Sequence, residues 1–294
     1  MTGPVVAVLG AINVDLVVTG APLPKPGETV TGGTFAEHHG GKGGNQATAA
    51  ARALGDVGTV VMIGAVGDDD LGVAARSALD AEGIDTTWVR VTGSAPTGVA
   101  LIAVDGAGEN QISVAPGAND AIDPPHAVDA LRSTLPGILL MSLEIPRETA
   151  LAAARWCADH NVRVLLNPAP IRPWTSELLA YPTWVTPNEH ELAALGDAVA
   201  DTTAIVIETR GEAGAIVHAQ PPVEVAAPNV SAIDATGAGD CFNGVLAASL
   251  AEGLELEPAL RRAVAAAARS VAAPGARDGM PRRAELFAAE GADD

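Results

Sequence analysis

Short apolar runs alternate along this chain with Ala-rich segments of helical period, and few architectures accept that alternation. The runs are VVAVLG from Val5, TVVMIG from Thr59, ILLMSL from Ile138, VRVLLN from Val162 and AIVIE from Ala204. Each is nearly continuous in apolar character and ends at Gly, Asn or a charged residue, as expected of strands buried on both faces. Helices are predicted between them over 45–54, 71–81, 147–159 and 189–195. After Gly239 the pattern turns mostly helical to about Ala273. Strand followed by helix, repeated, gives an α/β chain whose mainly parallel sheet carries helices on both faces.

Two segments depart from the alternation. Residues 16–37 hold three prolines and then TVTGGTFAEH. Residues 96–114 hold two strand-like runs joined by DGAGEN, a hairpin turn signal. Neither is followed by a crossover helix, so both are read as strands of a small β-sheet projecting from the core as a lid. The expectation is one α/β domain over 1–294 with this lid inserted in it.

Composition narrows the function. The 294 residues are 48% hydrophobic and 18% charged, which excludes a disordered chain. Seventeen Lys and Arg against 36 Asp and Glu give a net charge of -19, which repels polyanions and excludes nucleic acid as a default partner. No run of 18 apolar residues or basic leader is present, so neither a membrane partner nor export is expected. Two cysteines, Cys157 and Cys241, cannot form a disulfide framework and fit a reducing cytoplasm.

Several familiar chemistries are missing. No GxGxxG follows the first strand, so a dinucleotide-dependent oxidoreductase is disfavoured. GGKGGNQ lacks the Ser or Thr and the spacing of a P-loop. The histidines show no zinc spacing. Three other segments stand out. In Asp234-Ala-Thr-Gly-Ala-Gly-Asp240 the small residues Gly237, Ala238 and Gly239 open a helix, leaving N–H groups free for an anion. Asp240 then either satisfies the helix dipole or accepts a proton beside a phosphoryl group; spacing alone leaves these near even. Gly40–Gln46 either brings backbone close to a ligand or is a plain turn. Asn13 and Asp15, just past the first strand, either face a polyhydroxylated ligand or sit in a turn.

The ordered set GAINVD, PKPGETVTG, GGKGGNQA, GDDDLG, TGVALI, GEN, PGAN, LLNPAP, TPNEHE, TRGEAG and DATGAGDCFNG resembles the ribokinase (PfkB-type) family of carbohydrate kinases over the whole chain. The resemblance implies ATP-dependent phosphorylation of a sugar, D-ribose to D-ribose 5-phosphate. It implies sugar contacts from Asn13, Asp15, Gly41, Lys42, Asn45 and Glu144, with Asp240 as the base and Gly237, Ala238 and Gly239 as the anion hole. It implies Asn188 near the phosphates and their Mg²⁺, and Thr209, Gly211 and Gly214 along the nucleotide. A monovalent cation, K⁺, would be held by Asp234, Thr236, Ser270, Ala273 and Gly275. A homodimer through the lid sheet is implied as well. Two positions depart from the pattern: Val264 where relatives often carry a polar side chain near adenine, and Gly279 where a serine commonly joins the cation site. Rival readings are a deoxyribose, fructose, ketodeoxygluconate or nucleoside kinase, or a catalytically silent sugar- or nucleotide-binding regulator on the same fold.

Overall fold

A computed structural model describes residues 3–290 of the chain. The first strand, β1 (Val5–Leu9), lies inside a large sheet and shows why its sequence is apolar throughout. Val6 and Val8 point into one hydrophobic cluster, Ala7 and Leu9 into another on the opposite face, and all four are fully buried. The chain then leaves the core through β2 (Asn13–Thr19) and β3 (Thr34–Gly40). It re-enters as α1 (Lys42–Leu54), β4 (Thr59–Gly67), α2 (Asp70–Ala81) and β5 (Val89–Thr92). A second excursion, β6 (Gly98–Val104) and β7 (Asn110–Ala115), precedes α3 (Pro124–Thr134), β8 (Ile138–Met141), α4 (Arg147–Asp159) and β9 (Arg163–Leu166). Next come α5 (Thr175–Leu178), β10 (Trp184–Val185), α6 (Glu189–Leu195), β11 (Ile205–Thr209), β12 (Ala215–Val217) and β13 (Val223–Val225). The chain closes with α7 (Ala238–Ala251), α8 (Leu256–Ser270) and α9 (Arg283–Glu290).

The large sheet has the order β13-β12-β11-β10-β9-β8-β1-β4-β5, parallel except where β12 and β13 add antiparallel strands at one edge. Helices α1, α2, α7 and α8 pack on one face, α3 and α4 on the other. The small sheet, ordered β3-β2-β6-β7, pairs β2 parallel with β6 and is otherwise antiparallel. Its strands begin at Asn13 and extend to Gly40, so it reaches closer to the core than the segment 16–37 suggests.

Local differences from the sequence reading have local causes. Helix α1 starts at Lys42 rather than near 45, because Gly43 lies in its first turn, where a Cβ would meet the Gly10 carbonyl carbon at 2.5 Å. Helix α3 is absent from the sequence reading, although it opens on Pro124-Pro125. The prolines sit where a helix start tolerates them, after the Asp123 cap that accepts the His126 N–H at 2.9 Å. Helix α8 stops at Ser270, short of Pro274. Asp69, inside the acidic run 68–70, caps α2 by accepting the Gly72 N–H at 2.8 Å.

With aromatics at only 3% of residues, helices approach closely through small side chains. The tightest approach is α1 to α7, where a Cβ on Gly244 would lie 2.4 Å from the Gln46 carbonyl oxygen. That contact, one turn in, lets Asp240 in the first turn of α7 reach Asn45 of α1.

Candidate active site

The site residues follow the C-terminal ends of β1, β8, β9, β10 and β11, where parallel α/β sheets leave their ligand crevice. Gly237 begins α7 with φ 77°, and a Cβ there would lie 2.4 Å from the Ala276 carbonyl oxygen, so only glycine makes this turn. Ala238, Gly239 and Asp240 form the first helical turn, with Asp240 only 7% exposed.

Two amides from α1 hold the Asp240 carboxylate. Asn45 Nδ2 donates to Oδ2 at 3.0 Å and Gln46 Nε2 to Oδ1 at 3.0 Å. Gln46 also donates to Asn167 Oδ1 at 3.1 Å, which ties the pair to the end of β9. Burial pushes the Asp240 carboxyl above the usual carboxylate range, against the charges of Lys42 and Arg277 and the two amide bonds. Lys42 is held above its ordinary value chiefly by Asp240 and, after the opposing effect of burial, by Glu144.

On the sugar side of the expected site, Lys42 N donates to Glu144 Oε2 at 3.0 Å, so a carboxylate from beyond β8 satisfies an open N–H of α1. Gly41 precedes it at φ 78°, pressed against the Ala11 carbonyl. Asp15 stands on β2 opposite His38, and Gly40, two residues further along β3, has no room for a Cβ, which would lie 2.3 Å from Asp15 Oδ1. Burial raises both Asp15 and Glu144 above the carboxylate range. Asn13 is buried, and its Oδ1 accepts Asn119 Nδ2 at 2.8 Å. Thus Asp15, Lys42, Glu144 and Asp240 form one electrostatic cluster, and Asn45 joins it through hydrogen bonds.

On the other side of Asp240 lies a cavity of about 740 Å³, lined among others by Thr209, Gly211, Gly214, Ala238, Gly239 and Val264. Val264 gives it an apolar wall, which suits the flat face of a base. Asn188 lies beside this cavity, bridged to Thr209, and caps α6 by accepting the Glu191 N–H at 2.8 Å.

The two segments expected to hold a cation are joined. Asp234 Oδ1 accepts Thr236 N at 2.9 Å and Oδ2 accepts Gly275 N at 2.8 Å. Burial works against ionisation of Asp234, but these bonds outweigh it and hold the carboxyl below the usual range. Ser270 turns its hydroxyl to the Ala267 carbonyl at 2.8 Å. At Gly279 a Cβ would lie 1.9 Å from the Ser270 carbonyl oxygen, so a serine does not fit this backbone. Among the described residues no group of three or more His, Cys, Asp or Glu is arranged to hold a metal. Cys241 is fully buried with its thiol pushed up to about 12, a packed residue rather than a nucleophile.

Sequence reasoning passed over Asn167 and four further residues here. Gln46 and Asn119 lie inside quoted motifs, GGKGGNQ and PGAN, but a motif letter does not say which polar side chain faces the site. Glu191, on α6, feels Lys42 and Asp240 and is raised by burial. Arg277 reaches in from the loop after α8, and nothing near it in sequence signals that reach.

Known proteins resemble this chain over its length. Residues 4–283 match the model of the pfkB family carbohydrate kinases. Ribokinase of Bacillus subtilis (strain 168) is 41% identical over 290 residues, covering 96% of this chain and 97% of that protein. The structure of ribokinase from Giardia lamblia superposes with a TM-score of 0.90 at 29% identity, covering 100% of both chains. That of Arabidopsis thaliana ribokinase complexed with ribose and ATP gives 0.87 at 30% identity, covering 98% of both. At this identity and coverage, the chain belongs to the pfkB family of carbohydrate kinases.

Proposed function

We propose that this protein transfers the γ-phosphoryl group of ATP to D-ribose, giving D-ribose 5-phosphate. One observation carries the reading: the Asp240 carboxylate stands between the 740 Å³ cavity, which Ala238 and Gly239 help to line, and the polar cluster of Asp15, Lys42, Asn45 and Glu144. A sugar bound among those groups sets its terminal hydroxyl beside Asp240, with Asn13, Gly41 and the side chains of the cluster pairing with its ring hydroxyls. Asp240 takes the hydroxyl proton as the oxygen attacks phosphorus. The Gly237–Gly239 amides and Lys42 then balance charge growing on the phosphoryl oxygens. Thr209, Gly211 and Gly214 border the nucleotide. That Arabidopsis thaliana ribokinase is complexed with ribose and ATP supports this choice of substrate pair. An ADP-release screen over ribose, deoxyribose, fructose, ketodeoxygluconate and adenosine tests it. Turnover highest with any sugar but ribose would overturn the substrate, and none with any of them would favour a silent binding protein.

Glu191 accepts the Asn188 N–H through Oε2, which leaves its half-buried carboxylate able to hold the water shell of a nucleotide-bound Mg²⁺. That ion would neutralise the β- and γ-oxygens.

The pH dependence follows from Asp240. The base works ionised, and burial is the largest influence on its carboxyl, raising it. The acid limb of kcat/KM is therefore expected above the ordinary carboxylate range, with activity lost as pH falls through it. A limb at or below the ordinary aspartate value would contradict this.

The Asp234, Thr236, Ser270, Ala273, Gly275 and Gly279 region fits a large monovalent cation better than a divalent one. Its Asp234 carboxylate is already bonded to two backbone N–H groups, and the turn after α8 leaves carbonyl oxygens without helical partners. Gly279 can add only a backbone oxygen. Activity is expected to be highest in KCl, lower in NaCl and lowest in choline chloride at equal ionic strength. Equal kcat in all three would remove the cation role.

The small sheet acts as the lid in this reading, and as a dimer surface. Strand register puts Ile112 and Val114 on the face of Asp15, toward the sugar. Val18, Phe35 and Leu101 lie on the other face and are exposed. That face borders an open apolar groove of about 530 Å³, and a second copy related by a two-fold axis would cover it. A sedimentation mass of two chains at micromolar concentration is expected, falling to one in Phe35→Asp. A single-chain mass for the wild type would count against it. Buried, free cysteines at 157 and 241 agree with a reducing cytoplasm.

A further inference from the structure

Arg277 stands in the loop between α8 and α9, just past Gly275, yet its side chain leaves that loop for the active site. Nε donates to Asn45 Oδ1 at 2.8 Å and Nη2 to the Gly40 carbonyl at 3.0 Å. Its own carbonyl accepts Arg52 Nη1 at 2.6 Å, and Arg52 in turn forks onto Glu82. The backbone at 277 is thus anchored while the guanidinium spans to α1 and β3.

The contact with Asn45 decides something about the base. An asparagine amide has two ends of similar shape and opposite polarity. Nε–H of Arg277 can only donate, so the end of Asn45 that meets it is the oxygen. The NH₂ end then faces Asp240 Oδ2, where it donates at 3.0 Å. With the amide turned over, an oxygen would face a carboxylate and an N–H would face a guanidinium, and both contacts would be repulsive. Arg277 therefore fixes which end of Asn45 reaches the base.

A second observation points the same way. A Cβ at Gly44 would lie 2.4 Å from Arg277 Nη2. Gly44 is the last glycine of GGKGGNQ and has no ligand role in the site described above. The absence of its side chain is what lets the guanidinium lie across α1. Burial holds the Arg277 pKa down to about 10, so the group is still charged near neutrality; Asp15 and Asp240 are the leading charges opposing that shift.

We propose that Arg277 is a positioning residue for the phosphoryl-transfer step, which fixes the amide orientation of Asn45 and through it the aim of Asp240, and so ties the loop around Gly275 to the base. This rests on the kinase reading above. It assigns Arg277 no contact with sugar or nucleotide.

The test compares Arg277→Met, which keeps the aliphatic stem and loses both donors, with Arg277→Lys, which keeps the charge and one donor. Arg277→Met is expected to lower kcat roughly tenfold or more, the scale of one hydrogen bond that aims a reacting group, with KM for ATP unchanged within about twofold. Arg277→Lys should recover at least about half of that loss on a logarithmic scale. In the Arg277→Met/Asn45→Ala double variant, kcat should fall no further than in Asn45→Ala alone, within about twofold, because both changes break one link. Single effects that multiply in the double variant would overturn the proposal. So would a lowered melting temperature with unchanged kcat, since that is a structural role only. If Arg277→Met does not fold, Gly44→Ala displaces the guanidinium with Arg277 present and should show the same loss of kcat at unchanged KM for ATP; wild-type kcat there would overturn the proposal too. A readout free of turnover separates this from the kinase reading. The Asn45 side-chain NH₂ signals in an amide nitrogen–proton NMR spectrum, assigned through Asn45→Ala, should shift in Gly44→Ala and Arg277→Lys. Unmoved signals would sink the Arg277 link, whereas absent turnover in the wild type would sink only the assigned reaction.

Discussion

Asp240→Asn is expected to remove most turnover while ATP binding stays close to that of the wild type. A positioned base typically contributes ~10²–10⁴-fold, and the amide cannot accept the hydroxyl proton. The neighbourhood sharpens the expectation. Asn45 Nδ2 and Gln46 Nε2 each donate to one carboxylate oxygen. An amide at 240 offers one oxygen and turns its NH₂ toward a donor, so one of the two α1 amides loses its acceptor. A buried donor left unsatisfied costs about 1–3 kcal/mol, and a modest fall in melting temperature should accompany the loss of activity. The measurement is kcat with saturating sugar, alongside thermal unfolding. Retention of more than about a tenth of wild-type kcat would show that Asp240 is not the base.

The second large effect belongs to Asp15. Asp15→Ala removes an acceptor for ring hydroxyls from a partly buried place, and the loss should be roughly 1.5–3 kcal/mol, or about 10- to 150-fold in KM for ribose, as for a hydrogen bond to a charged group. KM for ATP should stay within about twofold, because Asp15 stands on β2, away from the cavity lined by Thr209, Gly214 and Val264. The substitution is sterically mild. Gly40 already gives way to the carboxylate, and a methyl group fits in less space. Unchanged KM for ribose together with raised KM for ATP would reverse the assignment of the two sides of the site.

Parts of the fold were legible in the sequence for different physical reasons. Strands such as Val5–Leu9 and Ile138–Met141 were legible because both faces of each are buried, which forces an unbroken apolar run. Helices α4 and α6 matched their predicted bounds because their ends are marked locally, α6 by a capping box on Asn188 and Glu191. The antiparallel strands β12 and β13, the edge strand β5 and the two-residue β10 went unread. They are short, and their pairing rather than their composition makes them strands. Asn13 and Asp15 lie past the first strand as read, but on β2 rather than in a turn, because register of Asn13 with Gly40 and Gly98 extends the small sheet inward.

By itself the sequence determined the layered α/β architecture, the Gly-rich opening of α7 and the place of Asp240 in its first turn. Each of these is written in consecutive residues, as a periodicity, a Gly-rich turn or a position in a helical turn. Only the tertiary structure decided what surrounds that acid. Gln46, Asn167 and Arg277 come from three elements far apart in the chain. Their meeting depends on how closely α1 can approach α7 at Gly244 and how the loop after α8 folds back over Gly44. Close packing of small residues sets those distances to a fraction of an ångström, and no spacing along one segment encodes a distance between two.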